Sequence, residues 1–254
     1  MIVILSPAKT LDFDNQYDFE EYTISDFLDD SKLLINELKK ISSKDLSKLM
    51  KLSSKLSDLN FERYINWNEN FSLSNSCQAI FCFKGGVYIG LNVKEFSKND
   101  LVYSQDYLRI LSGLHGVLKP FDLIQPYRLE MGTRLTTHRG NNLYEFWGDK
   151  ISYSLNESLK KNDSDYLLNL ASNEYFSSVN INKIDAEIID VKFLDKKGGE
   201  YKIISFFAKK ARGSMASFVV KNKVKKIDDL KNFSNLGYEF DQSKSNDNTL
   251  VFIR

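Results

Sequence analysis

Apolar residues along this chain fall into short unbroken runs and into helical spacings, and the two kinds alternate. The run Ile2–Leu5 (IVIL) ends at Ser6-Pro7, which predicts a short buried strand followed by a loop. That loop, Ser6 to Thr10, then lies at a strand's C-terminal edge, where ligands of open α/β sheets gather. Phe27, Leu28, Leu34, Ile35, Leu38 and Ile41 recur at helical spacing behind a Ser25 cap. Leu46, Leu49, Met50, Leu56 and Leu59 predict one further helix from Ser43. Residues 78–84 (QAIFCFK) predict a buried strand, and Gly85-Gly86 with Gly90 a sharp turn after it.

Ser97 and Asp100 form a capping-box pattern for a helix running to Leu111, closed by Gly113. Pro120 and Pro126 then keep residues 114–134 in loops and extended pieces. Further on, the pattern predicts a helix over 142–160, strands over 165–171 and 187–194, and a hairpin through Gly198-Gly199 into 201–208. A basic helix over 210–224 and a strand over 250–253 complete the chain. Alternating elements with a late hairpin predict an α/β fold with a mixed central sheet and flanking helices, a single domain over residues 1–254.

Composition sharpens this picture in three places. The 42% hydrophobic content supports a real core, and no apolar run approaches membrane length, so no membrane is implied and the cytoplasm is the expected location. Two cysteines and two histidines, none in a ligand spacing, imply neither a metal nor any other cofactor. Net charge is only +1, but its distribution is uneven: eight basic and no acidic residues lie between Tyr201 and Lys226, while Asp12 to Asp30 is strongly acidic. A polarised surface follows.

Four stretches carry candidate chemistry. Leu111 to Leu118 (LSGLHGVL), between Arg109 and Lys119, reads either as a helix C-cap and turn or as a helix-hairpin-helix turn that offers backbone N–H groups to a phosphate. Its glycines are three apart and Pro120 follows closely, which departs from the usual hairpin. Pro126 to Arg134 can aim Arg128 and Arg134 at phosphates with Tyr127 as a stacking face, or can hold an Arg128 ion pair with Glu130 or Glu145. Ala208 to Met215 places Lys209, Lys210 and Arg212 beside Gly213-Ser214 near a helix start, which suits an anion. Asn169 to Phe176 brings Asn173, Glu174 and Tyr175 to a strand end, either as a helix cap or, with Ser6, Lys9 and Lys210, as a polar catalytic site.

Read together, SPAKTL at 6–11, FKGGVYIGL at 83–91, LRILSGLHGVLKPFDLIQPYRLEMGTRL at 108–135, LYEFWGD at 143–149, NLASNEYFSSV at 169–179 and FFAKKARGSMA at 206–216 resemble the YaaA family of peroxide-stress proteins. The resemblance implies a cytosolic protein that limits free iron and oxidative DNA damage. It also implies a single α/β domain with a helix-hairpin-helix-like element and a basic cleft with affinity for duplex DNA. On this chain the expected cleft comprises Lys9, Arg109, Lys119, Arg128, Arg134, Lys209, Lys210 and Arg212, with Gly113 and Gly116 in the phosphate-contacting turn; the expected partner is double-stranded or distorted DNA. The alternative is an enzyme acting on a nucleotide or damaged nucleic acid at the Ser/Lys/Asn/Glu/Tyr cluster.

Overall fold

The run IVIL does become a strand, and it sits in the middle of the sheet, where both faces are covered and all four side chains are fully buried. The computed structural model describes residues 1–14 and 19–254, so part of the acidic run between Asp12 and Asp30 lies outside the described residues. The strands in chain order are β1 (Ile2–Leu5), β2 (Thr10–Leu11), β3 (Cys77–Gln78), β4 (Phe83–Lys84), β5 (Leu108–Ser112), β6 (Gly116–Leu118), β7 (Leu123–Ile124), β8 (Tyr166–Leu170), β9 (Glu187–Lys197), β10 (Glu200–Lys202), β11 (Glu239–Phe240) and β12 (Thr249–Ile253). The helices are α1 (Leu28–Leu38), α2 (Ser43–Met50), α3 (Ser54–Asn66), α4 (Ala79–Cys82), α5 (Gly86–Leu91), α6 (Lys98–Tyr107), α7 (Leu143–Trp147), α8 (Lys150–Lys161), α9 (Asn173–Phe176), α10 (Ser205–Asn222) and α11 (Ile227–Leu230).

The central sheet has the order β11-β12-β9-β8-β1-β5-β6, with β10 folded back on β9. Its five inner strands run parallel, while β6, β10 and β11 are antiparallel additions. The fold is therefore the mixed α/β sheet with flanking helices that the pattern predicts. Because β1, β5 and β8 share one direction, the loops after Leu5, Ser112 and Leu170 open on the same edge. That edge is the C-terminal one.

Several elements differ from the pattern, each for a tertiary reason. The helix expected from Ser43 to Leu59 is two helices, because Ser53 starts α3 by accepting the Leu56 N–H. Residues 78–84 are not one strand: Gln78 pairs with Leu123 and Phe83 with Leu11, and the chain crosses between these partners through the single turn of α4. Instead of running on to Leu111, α6 ends at Tyr107, since residues 108–112 pair with β1 on one side and β6 on the other. The 142–160 helix is split at Gly148, where φ is +49°. The hairpin's second arm ends at Lys202, and α10 begins at Ser205, five residues before the expected start.

Two glycines explain why the helix α5 stands where a turn is expected. At their crossing, α5 and α10 touch backbone to backbone: a Cβ on Gly90 would sit 1.9 Å from the Lys210 carbonyl oxygen, and one on Gly213 would sit 1.7 Å from that of Val87. Gly90 and Gly213 are therefore needed for close approach, and neither closes a turn.

Candidate functional site

The C-terminal edge is built from Ser6 outward. Ser6 is buried; its Oγ accepts the Ser172 N–H at 2.8 Å and donates to Ser172 Oγ at 3.2 Å, while its carbonyl accepts the Tyr88 hydroxyl at 3.1 Å. Ser172 occupies the position before α9, yet its hydroxyl is turned to Ser6 and does not cap the helix. The two loops that leave β1 and β8 are thus pinned to each other. Beyond them, Lys9 Nζ lies 3.2 Å from Glu130 Oε1, and the same oxygen accepts Arg128 Nη2 at 2.8 Å and Nε at 3.0 Å. Glu130 Oε2 is buried without a hydrogen bond. Glu174 Oε1 accepts the Gly132 N–H at 3.1 Å, and the Glu174 carbonyl accepts the Tyr144 hydroxyl. Tyr175 is buried beside Met131, and loss of water pushes its hydroxyl well above the ordinary tyrosine range.

The basic stretch reaches this edge from α10. A Cβ on Gly85 would touch Ala8, and one on Gly86 would touch Lys209, so the Lys9 loop, the Gly85-Gly86 corner and the start of α10 are contiguous. Lys209 is exposed and Lys210 half-buried, and among the described residues neither makes an ion pair. Arg212, one turn deeper, is also half-buried and is drawn inward: burial lowers its guanidinium pKa, with Asp190 opposing, and the Asp190 carboxylate itself accepts Asn169 Nδ2 at 2.7 Å.

The other expected cleft residues do not join this group. Arg109 on β5 is buried, its guanidinium donating to Ser158 Oγ and to the Gln105 and Leu108 carbonyls. Lys119 follows β6, whose antiparallel course carries it back beside the start of β5, and it is bound to both oxygens of Asp26 at 2.9 Å. These two cations lie at the sheet's N-terminal edge, opposite Lys9. Arg134 is exposed but lines a hollow against α1 and α2, with Glu37 and Asp45 in its wall. Arg128 makes the ion pair with Glu130 that was the plain reading of its loop.

The helix-hairpin-helix expectation is corrected outright, because the stretch is strand, turn, strand. A Cβ on Gly113 would meet the Leu129 carbonyl oxygen at 2.3 Å, and one on Gly116, at φ +63°, would meet the Trp147 ring at 2.8 Å. Trp147 also donates its indole N–H to the Gly113 carbonyl. Both glycines are buried, so neither presents an N–H to a ligand. Nor do Gly213-Ser214 open a helix start; they lie inside α10, where their N–H groups belong to the helix.

Between the glycines, His115 is fully buried with Nδ1 2.9 Å from Ser31 Oγ and Nε2 unpartnered. Burial drives its pKa down to about 3. The folded state therefore binds fewer protons than the unfolded state between that value and the unfolded histidine pKa of about 6.5. Stability is full above the upper limit and is lost as pH falls through the window. Urea melts should show a loss of about 2 kcal/mol from pH ~7 to pH ~5 that His115→Gln removes; equal slopes for the two proteins would exclude His115 as the source.

Glu130, Gly132 and Tyr88 are the site residues that pattern reading did not place at this edge. The Arg128-x-Glu130 spacing was the one available signal for Glu130, and nothing local marks Tyr88 as the partner of Ser6. The arrangement offers two unpaired lysines over a rigid, hydrogen-bonded sheet edge, an electrostatic setting for an anion. A family model described as peroxide stress protein YaaA matches residues 1–244, and the chain belongs to that family.

Proposed function

We propose that this peroxide-stress protein protects DNA by holding duplex or distorted DNA through its phosphate backbone at the C-terminal sheet edge, with Lys9, Lys209 and Lys210 as the contacting cations. The observation that carries this reading is the pair Lys209 and Lys210, the first exposed and the second half-buried, both without carboxylate partners among the described residues, next to the Lys9 loop. A cation neutralised by a carboxylate of its own releases few counterions on binding; Lys209 and Lys210 have no such partner, and Lys9 shares Glu130 with Arg128, so that trio keeps one net positive charge. The contact surface is therefore smaller than the eight-cation groove expected from the sequence. Limiting iron-driven damage then amounts to occupying the DNA.

The alternative, catalysis on a nucleotide or damaged base, has less behind it. Ser6 and Glu174 commit their side-chain oxygens to backbone N–H groups of Ser172 and Gly132, and the Tyr175 ring is buried. These contacts fix the loops.

Lysines at the two edges separate this reading from a groove that spans the sheet. Lys9→Gln should weaken duplex affinity about 5-fold, as loss of one charge-assisted phosphate contact does, whereas Lys119→Gln should leave it unchanged. Equal losses at the two positions would show that both edges touch DNA.

A further inference from the structure

Next to the two unpaired lysines, the start of α10 leaves large apolar side chains in solvent. Phe206 is 68% exposed, and Ile203, Phe207 and Leu236 are exposed with it. Single apolar residues scattered over a surface are ordinary; a group of them is not. The Phe206 and Phe207 rings meet edge to face, with centroids 5.6 Å apart. The Arg254 guanidinium lies 4.3 Å from the Phe207 centroid and 4.5 Å from that of Tyr238, and it is held there by Asp195 Oδ1 at 2.6 Å and the Leu236 carbonyl at 2.9 Å. Phe207 is thus clamped, and Phe206 stands against it with most of its ring free.

β12 runs parallel to β9, β8 and β1, so Arg254, which follows it, stands at the same C-terminal edge as the Lys9 loop. Lys209 and Lys210 come three and four residues after Phe206 within α10, the two spacings that make side chains neighbours on a helix, about 5–6 Å apart at Cβ. An open aromatic face beside cations without a counter-charge suits a ligand whose flat apolar part is joined to a phosphate, which is a nucleotide. It suits a second copy of the chain poorly, because a two-fold contact centred on Phe206 sets the Lys209 and Lys210 of each copy against those of the other.

We propose that Phe206 is a stacking platform for an unpaired base, which makes DNA with unpaired bases the preferred ligand of this edge. The inference rests on the phosphate reading above and adds the base to it. In a paired duplex each base is stacked between its neighbours and its face is closed to Phe206, whereas a bubble or a single-stranded gap offers that face at little cost. The base then lies on Phe206 while the phosphates beside it meet Lys209 and Lys210. Because Phe207 and Arg254 already fix the ring, little freedom is lost on binding. Every base has such a face, so the preference is for unpaired structure and carries no sequence.

The test is fluorescence anisotropy with DNAs of one length: a paired duplex, the same duplex with a bubble of unpaired thymines, and the same bubble built from abasic sites. The last keeps the distortion and the phosphates without the bases. Wild type should bind the thymine bubble about 10-fold more tightly than either of the others, the size of one base stacked on an aromatic ring. Phe206→Ala should bring the affinities for thymine bubble and duplex to parity; Phe206→Trp should keep the preference, and Phe206→Leu, apolar but not planar, should lose it. The ring is exposed, so the urea midpoint of each variant should match wild type. Parity in the wild type, or a preference that Phe206→Ala leaves intact, would overturn the stacking while duplex binding through the lysines stands. A dimer in sedimentation that Phe206→Ala dissolves would give the face to a second copy and overturn it too. Failure to bind any of the DNAs removes the phosphate reading and this inference with it.

Discussion

Gly213→Ala should destabilise the protein by about 3 kcal/mol or more, read as a fall in the urea midpoint, although glycine to alanine inside a helix ordinarily gains up to about 1 kcal/mol. The reversal of sign is the test. Alanine's methyl group at 213 would sit 1.7 Å from the Val87 carbonyl oxygen and 2.7 Å from the Leu91 nitrogen, both backbone atoms of α5 that no rotamer change can move. The helices must separate, and α10 lies over β9, β8 and β1 with Ala211, Met215, Ala216 and Val219 fully buried beneath it. Against a total stability of typically 5–15 kcal/mol, such a loss removes a large part of the margin. Gly90→Ala should behave alike, since its methyl group meets the Lys210 carbonyl at 1.9 Å. A neutral or stabilising result at both positions would mean that α5 and α10 do not cross as described.

Replacing both unpaired lysines by acids, Lys209→Glu with Lys210→Glu, should lower duplex affinity about 100-fold, the roughly 25-fold loss of two charge-assisted phosphate contacts increased by repulsion between the new carboxylates and the phosphates. The effect should be the same for any duplex sequence, because phosphate contact carries no base information. Lys209 is exposed and Lys210 half-buried near the start of α10, so the fold should survive, and acids in a helix's first turns suit its dipole. An unchanged urea midpoint with collapsed binding is the expected combination. Unchanged binding would remove these two residues from the interface.

The fold was largely legible because its inner strands are hydrophobic on both faces: IVIL, YLLNL and TLVFI announce themselves without any partner. What misled the pattern were places where sheet pairing or close packing overrides local preference. Residues 108–111 continue a helical spacing from α6 yet are captured between β1 and β6. Gly90 and Gly113 were read as turn or cap formers and Gly213 as part of an anion-binding helix start, but all three serve close backbone approach, which depends on a distant segment and leaves no local trace. The site was legible in part. Lys209 and Lys210 were proposed from the basic run and Lys9 from its loop after β1, whereas Arg109 could not be told from a surface arginine until β5 was seen to lie inside the sheet. A buried guanidinium with three internal acceptors reads in sequence like any other.

Salt dependence of duplex binding tests the phosphate reading most directly. Three contacting lysines predict that log affinity falls against log salt with a slope of about −3, or about 40-fold between ~50 and ~200 mM. A flat response would contradict backbone binding altogether, and a slope near −7 would demand the eight-cation groove that the positions of Arg109 and Lys119 rule out.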